Sequence, residues 1–179
     1  MFRTVSIFGA AILMAVVIVG CERSAGNKDK TPQAKSAPLP SDLFLASAPG
    51  DFKELDAVRQ SAKDGEAVTV RARVGGRRDV FSADRAVMTV ADANLTSCDK
   101  IPGDDCKTPW DYCCLDGDKL AEHVASVQVN GADNKPLHGT LKDAGGLAPL
   151  KEVIIVGTVQ KSVDGKVVTI NANRIFVKG

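Results

Sequence analysis

The sequence predicts a mainly β fold, a small five-stranded barrel preceded by one amphipathic helix. Three observations predict it. After Gly65 the apolar residues recur at every second position, with Val68, Val70, Ala72 and Val74 alternating with Thr69, Arg71 and Arg73, the period of a strand with one buried face. Near the C-terminus, Ser162-Val163-Asp164-Gly165-Lys166 separates two strand-like runs as a hairpin turn, with Asp-Gly supplying the positive-φ position. In the last run the apolar phase slips, from Ile170 and Ala172 to Ile175 and Val177. An extra residue near Asn173 or Arg174 is the bulge by which a strand bends round a barrel.

Taken in order, the helix falls in residues 46–65. Asp51 with Glu54 three residues later matches a capping box, and Phe52, Leu55, Val58 and Ala62 share one face. Phe52 and Leu55 are expected to face the core. The first strand, 68–74, ends at Gly75-Gly76, and further strands are expected at 86–91, 123–130, 152–160 and 167–177. The stretch 141–150, between the third and fourth strands, is rich in Gly and contains Pro, so it is a poor helix. Aromatic residues make up 4% of the chain, which suits a small core of Val and Ala better than an aromatic-lined carbohydrate cleft.

The runs AVTVRARVGG, RAVMTVADA and EVIIVGTVQKSVDGKVVTINANRIFV, within a domain spanning 66–179, resemble the OB-fold, the small Greek-key barrel named for oligonucleotide and oligosaccharide binding. The resemblance implies a ligand surface at the loop after the first strand and at the last hairpin. Arg71, Arg73, Arg77, Arg78 and Arg85 fall on the first strand's outer face and the following loop, and Lys161 and Lys166 on the hairpin. An anionic ligand or a lipid headgroup is the partner such a surface would take. The competing reading is a solvated charged face, with Asp79 and Asp84 diluting the potential.

Residues 1–20 carry Arg3 near the start of an apolar stretch, and Cys21 follows Ile18-Val19-Gly20 directly. Such a segment reads as an export signal. The cysteine after Gly20 resembles the bacterial lipobox, and the resemblance implies lipidation of Cys21, cleavage before it and a membrane anchor through the lipid. A plain signal peptide or an uncleaved anchor is the alternative. The chain is also similar to uncharacterised bacterial lipoproteins of this layout. Residues 21–45, rich in Lys, Ser, Ala and Pro, read as a flexible tether. Glu22 is not the Asp that marks inner-membrane retention in similar enteric lipoproteins, which slightly favours the outer membrane.

An address outside the cytoplasm supplies no ATP or NAD(P)H and favours disulfides, so nucleotide-driven enzymes are disfavoured. Arg3 is the only charged residue of the first twenty, and without it Lys plus Arg falls to parity with 22 Asp plus Glu. Nucleic acid is not favoured by that balance.

The insertion 95–118 holds CDKIPGDDCKTPWDYCC, with Cys98, Cys106, Cys113 and Cys114. An even set outside the cytoplasm reads first as two disulfides. A bond between the neighbours Cys113 and Cys114 would strain its eight-membered ring, so each is expected to pair with Cys98 or Cys106. The alternative is a metal or thiol-redox site on the same four cysteines, with His123 or His138 as further metal ligands. The spacing lacks the paired Cys-x₂₋₄-Cys knuckles of structural zinc sites and any Cys-x-x-Cys. Asp104, Asp105, Asp111, Asp116 and Asp118 do not match a calcium-loop pattern. Trp110 and Tyr112 are read either as an exposed stacking platform or, in preference, with Trp110 plugging the insertion against the barrel.

No nucleophile elbow, catalytic triad order or paired-carboxylate motif stands out. The expectation is therefore a lipid-anchored, extracytoplasmic, non-enzymatic binding or interaction module, working through the loop after the first strand, the last hairpin and the disulfide-stapled insertion. An envelope protein or polymer is its expected partner, and no cofactor is expected. The alternative is a metal-binding or thiol-redox protein centred on the insertion, and a purely structural envelope protein is a third reading.

Overall fold

In the alternating run, Val68, Val70, Ala72 and Val74 are buried and Thr69, Arg71 and Arg73 are only partly covered, as a strand with one core-facing side requires. The computed structural model describes residues 38–179, so the signal, Cys21 and most of the tether lie outside the described residues. The run forms β2 (Ala67–Val74), preceded by β1 (Lys53–Glu54) and α1 (Leu55–Ser61). β3 (Val87–Asp92), α2 (Gly117–Ala121), β4 (Val124–Gln128), β5 (Glu152–Lys161) and β6 (Val168–Val177) follow.

The strand order is β2-β3-β4-β6-β5, and β5 pairs again with β2, from Ala67 opposite Thr158 to Arg73 opposite Glu152, which closes the barrel. Barrel neighbours are antiparallel except β4 and β6, where Ser126 to Gln128 run parallel to Thr169 to Asn171. The fold is mainly β, a closed five-stranded OB-like barrel with one extra short strand, β1, on its edge.

The phase slip in β6 is a bulge. Val156 lies opposite Arg174 and Gly157 opposite Ala172, so Asn173 is the extra residue. A Cβ at Gly157 would collide with the Asn171 carbonyl, and glycine lets the two strands approach there. The last hairpin turns as its sequence requires, with Gly165 at φ 69° and its N–H donating to the Ser162 carbonyl at 2.8 Å. Leu55, Val70, Ile155, Ile170 and Ile175 are fully buried in the core, and Leu141 and Leu147 from the 141–150 stretch are buried in the same cluster. Full burial of each such side chain contributes about 1.5–3 kcal/mol. That stretch forms one 3₁₀ turn, Ala144–Gly146, and no α-helix.

Three expectations are corrected. The helix starts later than its sequence motif, because Asp51 adopts φ 52° and Lys53 and Glu54 pair with Val70 and Arg71. Glu54 sits at the N-cap without a side-chain cap, and a carboxylate from the barrel replaces it: Asp92 accepts the Asp56 N–H at 2.9 Å. Leu55 and Val58 are buried as expected, but Phe52 is 42% exposed and its ring lies 5.5 Å from the Arg71 guanidinium. The chain is also held to the barrel before residue 45, the end given to the tether. Leu43 is fully buried, Leu45 donates to the Ile175 carbonyl, and Ile175 donates to that of Leu43. No helix among the described residues is long and apolar enough to cross a membrane.

Candidate functional site

Among the described residues, a groove on the β3–β4 side of the barrel and the cysteine insertion hold residues that the sequence singles out. The groove has a volume of about 470 Å³. Its floor is Thr89 on β3 with Val124, Ala125 and Ser126 on β4, and its rims are Gly76-Arg77 and the hairpin residues Lys166-Val167. In an OB-type barrel the second and third barrel strands with these two loops form the ligand face. Arg59, Arg77 and Lys166 are its charged residues, and among the described residues lining it there is no carboxylate.

Arg59, on α1, is a residue that reading the sequence missed. Its guanidinium donates to the carbonyls of Val124, Ala121 (3.0 Å) and Lys166 (3.1 Å), tying helix, α2, β4 and hairpin together. Burial lowers its pKa, opposed by the charges of Asp56 and Glu122. With its donors committed to carbonyls, Arg59 shapes the groove while Arg77 and Lys166 supply its outward charge. No local signal marks Arg59, because its partners lie more than sixty residues away.

The other expected ligand residues do not join this groove. Arg71 is ion-paired with Glu54 at 2.8 Å and lies 3.7 Å from Glu152. Arg73 donates to the carbonyls of Leu95 (3.0 Å) and Ala93 (2.7 Å), pinning the start of the insertion to β2. Arg85 reaches the Pro136 carbonyl at 3.4 Å, and Lys161 donates from Nζ to the Arg59 carbonyl at 2.7 Å. Arg78 offers its carbonyl to Trp110 Nε1 at 2.9 Å. The basic cluster is thus close in sequence and divided in space, because alternate strand residues and loop residues meet different partners.

The insertion docks through its aromatics. Trp110 is half-buried against the core, and the Gly76 N–H donates to its carbonyl at 2.8 Å. A Cβ at Gly75 would lie 2.7 Å from the Trp110 oxygen and 3.0 Å from the Tyr112 ring, so glycine there admits the close approach. Tyr112 has no solvent exposure, which corrects its assignment to an exposed stacking surface. Its hydroxyl is buried without a hydrogen-bond partner, and burial raises its pKa, with Arg73 the principal opposing influence.

The four cysteines meet beyond this anchor. Cys98 is bonded to Cys114, with Cα atoms 6.0 Å apart, and Cys106 Sγ faces Cys113 Sγ at 2.6 Å. Each member of the adjacent pair is therefore joined or opposed to a distant cysteine, as the ring-strain argument requires. Cys113 Sγ lies 3.9 Å from Cys98 Sγ. The ligand atoms of Cys98, Cys106 and Cys113 lie within 4.8 Å of one another, as do those of Cys98, Asp104 and Cys114, so these are the residues with metal-holding geometry. Neither His123 nor His138 belongs to these groups. His123 Nδ1 instead meets Asp56 Oδ2 at 2.8 Å, and His138 pairs with Arg85 in an isolated bridge.

The acidic residues serve the turns that carry the thiols. Asp104 accepts from the Cys106 N–H, and Asp111 accepts from the Cys113 N–H and the Thr108 hydroxyl. Asp116 caps α2 by accepting from the N–H groups of Asp118 and Lys119. Burial works against ionisation of Asp111, but its hydrogen bonds to Thr108 and Cys113 and the Arg78 charge outweigh it and hold its pKa low. The reduced Cys113 thiol is pushed up to about 12, first by its hydrogen bond with Cys106, then by desolvation and the Asp111 carboxylate.

Comparison with known proteins finds no matching family model, curated protein or solved structure. The functional reading therefore rests on this geometry.

Proposed function

We propose that the protein is a lipid-anchored, extracytoplasmic binding module that holds an anionic segment of an envelope polymer or protein in the β3–β4 groove. The observation that carries the reading is the groove's lining: Arg77 and Lys166 face a half-open, largely apolar cleft without a carboxylate, in a chain whose total charge is nearly balanced. Arg77 and Lys166 over a low-dielectric floor attract an anion where the molecule as a whole would not, while Asp56, Asp118 and Glu122 line the adjoining cleft that Arg59 and Lys166 also border. Arg59 ties the hairpin rim to the groove by donating to the Lys166 carbonyl at 3.1 Å. The lipid anchor is read from Cys21 and its apolar lead.

The test is calorimetric titration with polygalacturonate and with a short polyphosphate, using neutral dextran as control. Binding of at least one anionic polymer is expected, weakening with salt. An Arg77→Ala/Lys166→Ala double substitution is expected to reduce affinity by about tenfold or more. No binding of either polyanion, or equal binding by the double variant, would remove the proposal.

A further inference from the structure

We propose that Cys106 and Cys113 close a second, solvent-facing disulfide that exchanges reversibly with external dithiols at Cys113, while the Cys98–Cys114 bond stays shut. This inference stands apart from the groove and does not rest on it. Its first support is proximity: the two sulfurs are 2.6 Å apart, far inside the separation of non-bonded sulfur atoms, and each is placed by a rigid turn. Asp104 fixes the Cys106 N–H at 2.8 Å, Asp111 fixes the Cys113 N–H at 2.9 Å, and buried Tyr112 anchors the backbone immediately before Cys113.

The second support is the difference in exposure between the pairs. Cys113 is exposed and Cys106 is partly covered, whereas Cys98 has no solvent exposure. Exchange requires access for the attacking thiolate and a leaving sulfur that tolerates charge. Attack on exposed Cys114 would expel Cys98 as a thiolate into a buried setting, which disfavours it. Attack on Cys106 would expel Cys113 beside the Asp111 carboxylate, whose charge resists the thiolate. Cys106 Sγ also lies 4.0 Å from the Asp111 carboxylate, so charge does not separate the two sulfurs; exposure does, and the exposed Cys113 is the one open to attack.

The chemistry balances with a dithiol as the two-electron donor. Its thiolate attacks Cys113 Sγ, the Cys106–Cys113 bond breaks, and a mixed disulfide forms at Cys113 as Cys106 leaves and takes a proton from water. The second thiol of the reagent then displaces Cys113, yielding two protein thiols and one oxidised dithiol. The freed Cys113 lies 3.9 Å from Cys98 Sγ, close enough to invade the remaining bond. The Asp111 carboxylate beside Cys113 opposes the thiolate that such an invasion needs, which slows scrambling of the two pairs.

The test uses full-length protein extracted from its own membranes without reductant. It is treated natively with graded dithiothreitol, quenched with iodoacetamide, and read by intact mass and peptide mapping. Unreduced protein should take no label at the four insertion cysteines. Cys106 and Cys113 should then be labelled at about tenfold lower reductant than Cys98 and Cys114. Reduced glutathione added to the unreduced protein should leave its first adduct on Cys113, and in Cys106→Ser and Cys113→Ser variants that adduct route should be lost, the remaining single thiol being open to iodoacetamide without reductant. Circular dichroism of both variants establishes that the barrel is folded. Labelling of Cys106 and Cys113 before reductant, opening of both pairs together, a first glutathione adduct on Cys106, or a stoichiometric bound metal would each overturn the proposal.

Discussion

In the barrel, the inward residues of every strand are withdrawn from water: Val70 and Val74 on β2, Val90 on β3, Val127 on β4, Ile155 on β5 and Ile170 on β6. In the insertion 95–118, only Ser97, Cys98 and Tyr112 are buried among twenty-four residues. The barrel is held by many interchangeable apolar contacts and a closed hydrogen-bond ladder. The insertion has too little apolar surface to offset its chain entropy, so a covalent bond, a tyrosine and a set of carboxylate-capped turns replace a core. The two regions should therefore fail in different ways.

The largest effect is expected in the barrel. Ile155→Ala, at a position with no solvent exposure, should lower unfolding free energy by about 2–5 kcal/mol in urea titration and take the insertion down with it. A loss well below that range would mean that the β2–β5 closure is not the centre of stability. Removing the covalent staple with Cys98→Ser/Cys114→Ser opens a loop of sequence separation 16 and should cost up to about 3 kcal/mol. Limited proteolysis should then cut the insertion while the barrel's far-ultraviolet spectrum persists. Simultaneous loss of the barrel would show that the regions are not separable.

These contrasts also explain what the sequence made legible. The strands, the Asn173 bulge, the Gly165 turn and the exclusion of a bond between Cys113 and Cys114 were readable because each follows from local periodicity or local geometry. Asp51 misled because a capping motif is a local preference, and the pairing of Lys53 and Glu54 with β2 moved the helix start beyond it. The arginines misled for the opposite reason: adjacency in sequence placed Arg71 and Arg77 together, while Glu54 and Glu152 claim only the first. The groove depends on Arg59 meeting carbonyls of β4, α2 and the hairpin, a long-range arrangement that no window of sequence contains.

Smaller effects sharpen the comparison. Asp92→Ala removes the carboxylate that caps α1 and accepts the Asn94 N–H, so a loss of about 1–2 kcal/mol is expected by thermal or chemical unfolding. Tyr112→Phe deletes a buried hydroxyl that has no partner, and should be neutral or stabilising by up to about 1 kcal/mol. The same residue sets a pH dependence. Burial raises the Tyr112 pKa in the folded state, so the unfolded state loses its proton first as pH rises, and stability should fall above the ordinary phenol value of 10.0. Stability is unaffected by this group below that range, and Tyr112→Phe should flatten the alkaline fall.

The most direct measurement of the central claim is a nitrogen-15 amide shift titration with polygalacturonate at low and high salt. Binding in the groove predicts salt-sensitive shifts at Gly76, Arg77, Thr89, Ser126, Lys166 and Val168, with the insertion amides from Asp104 to Lys107 unmoved. Shifts centred on the insertion, or none at the groove, would contradict the account.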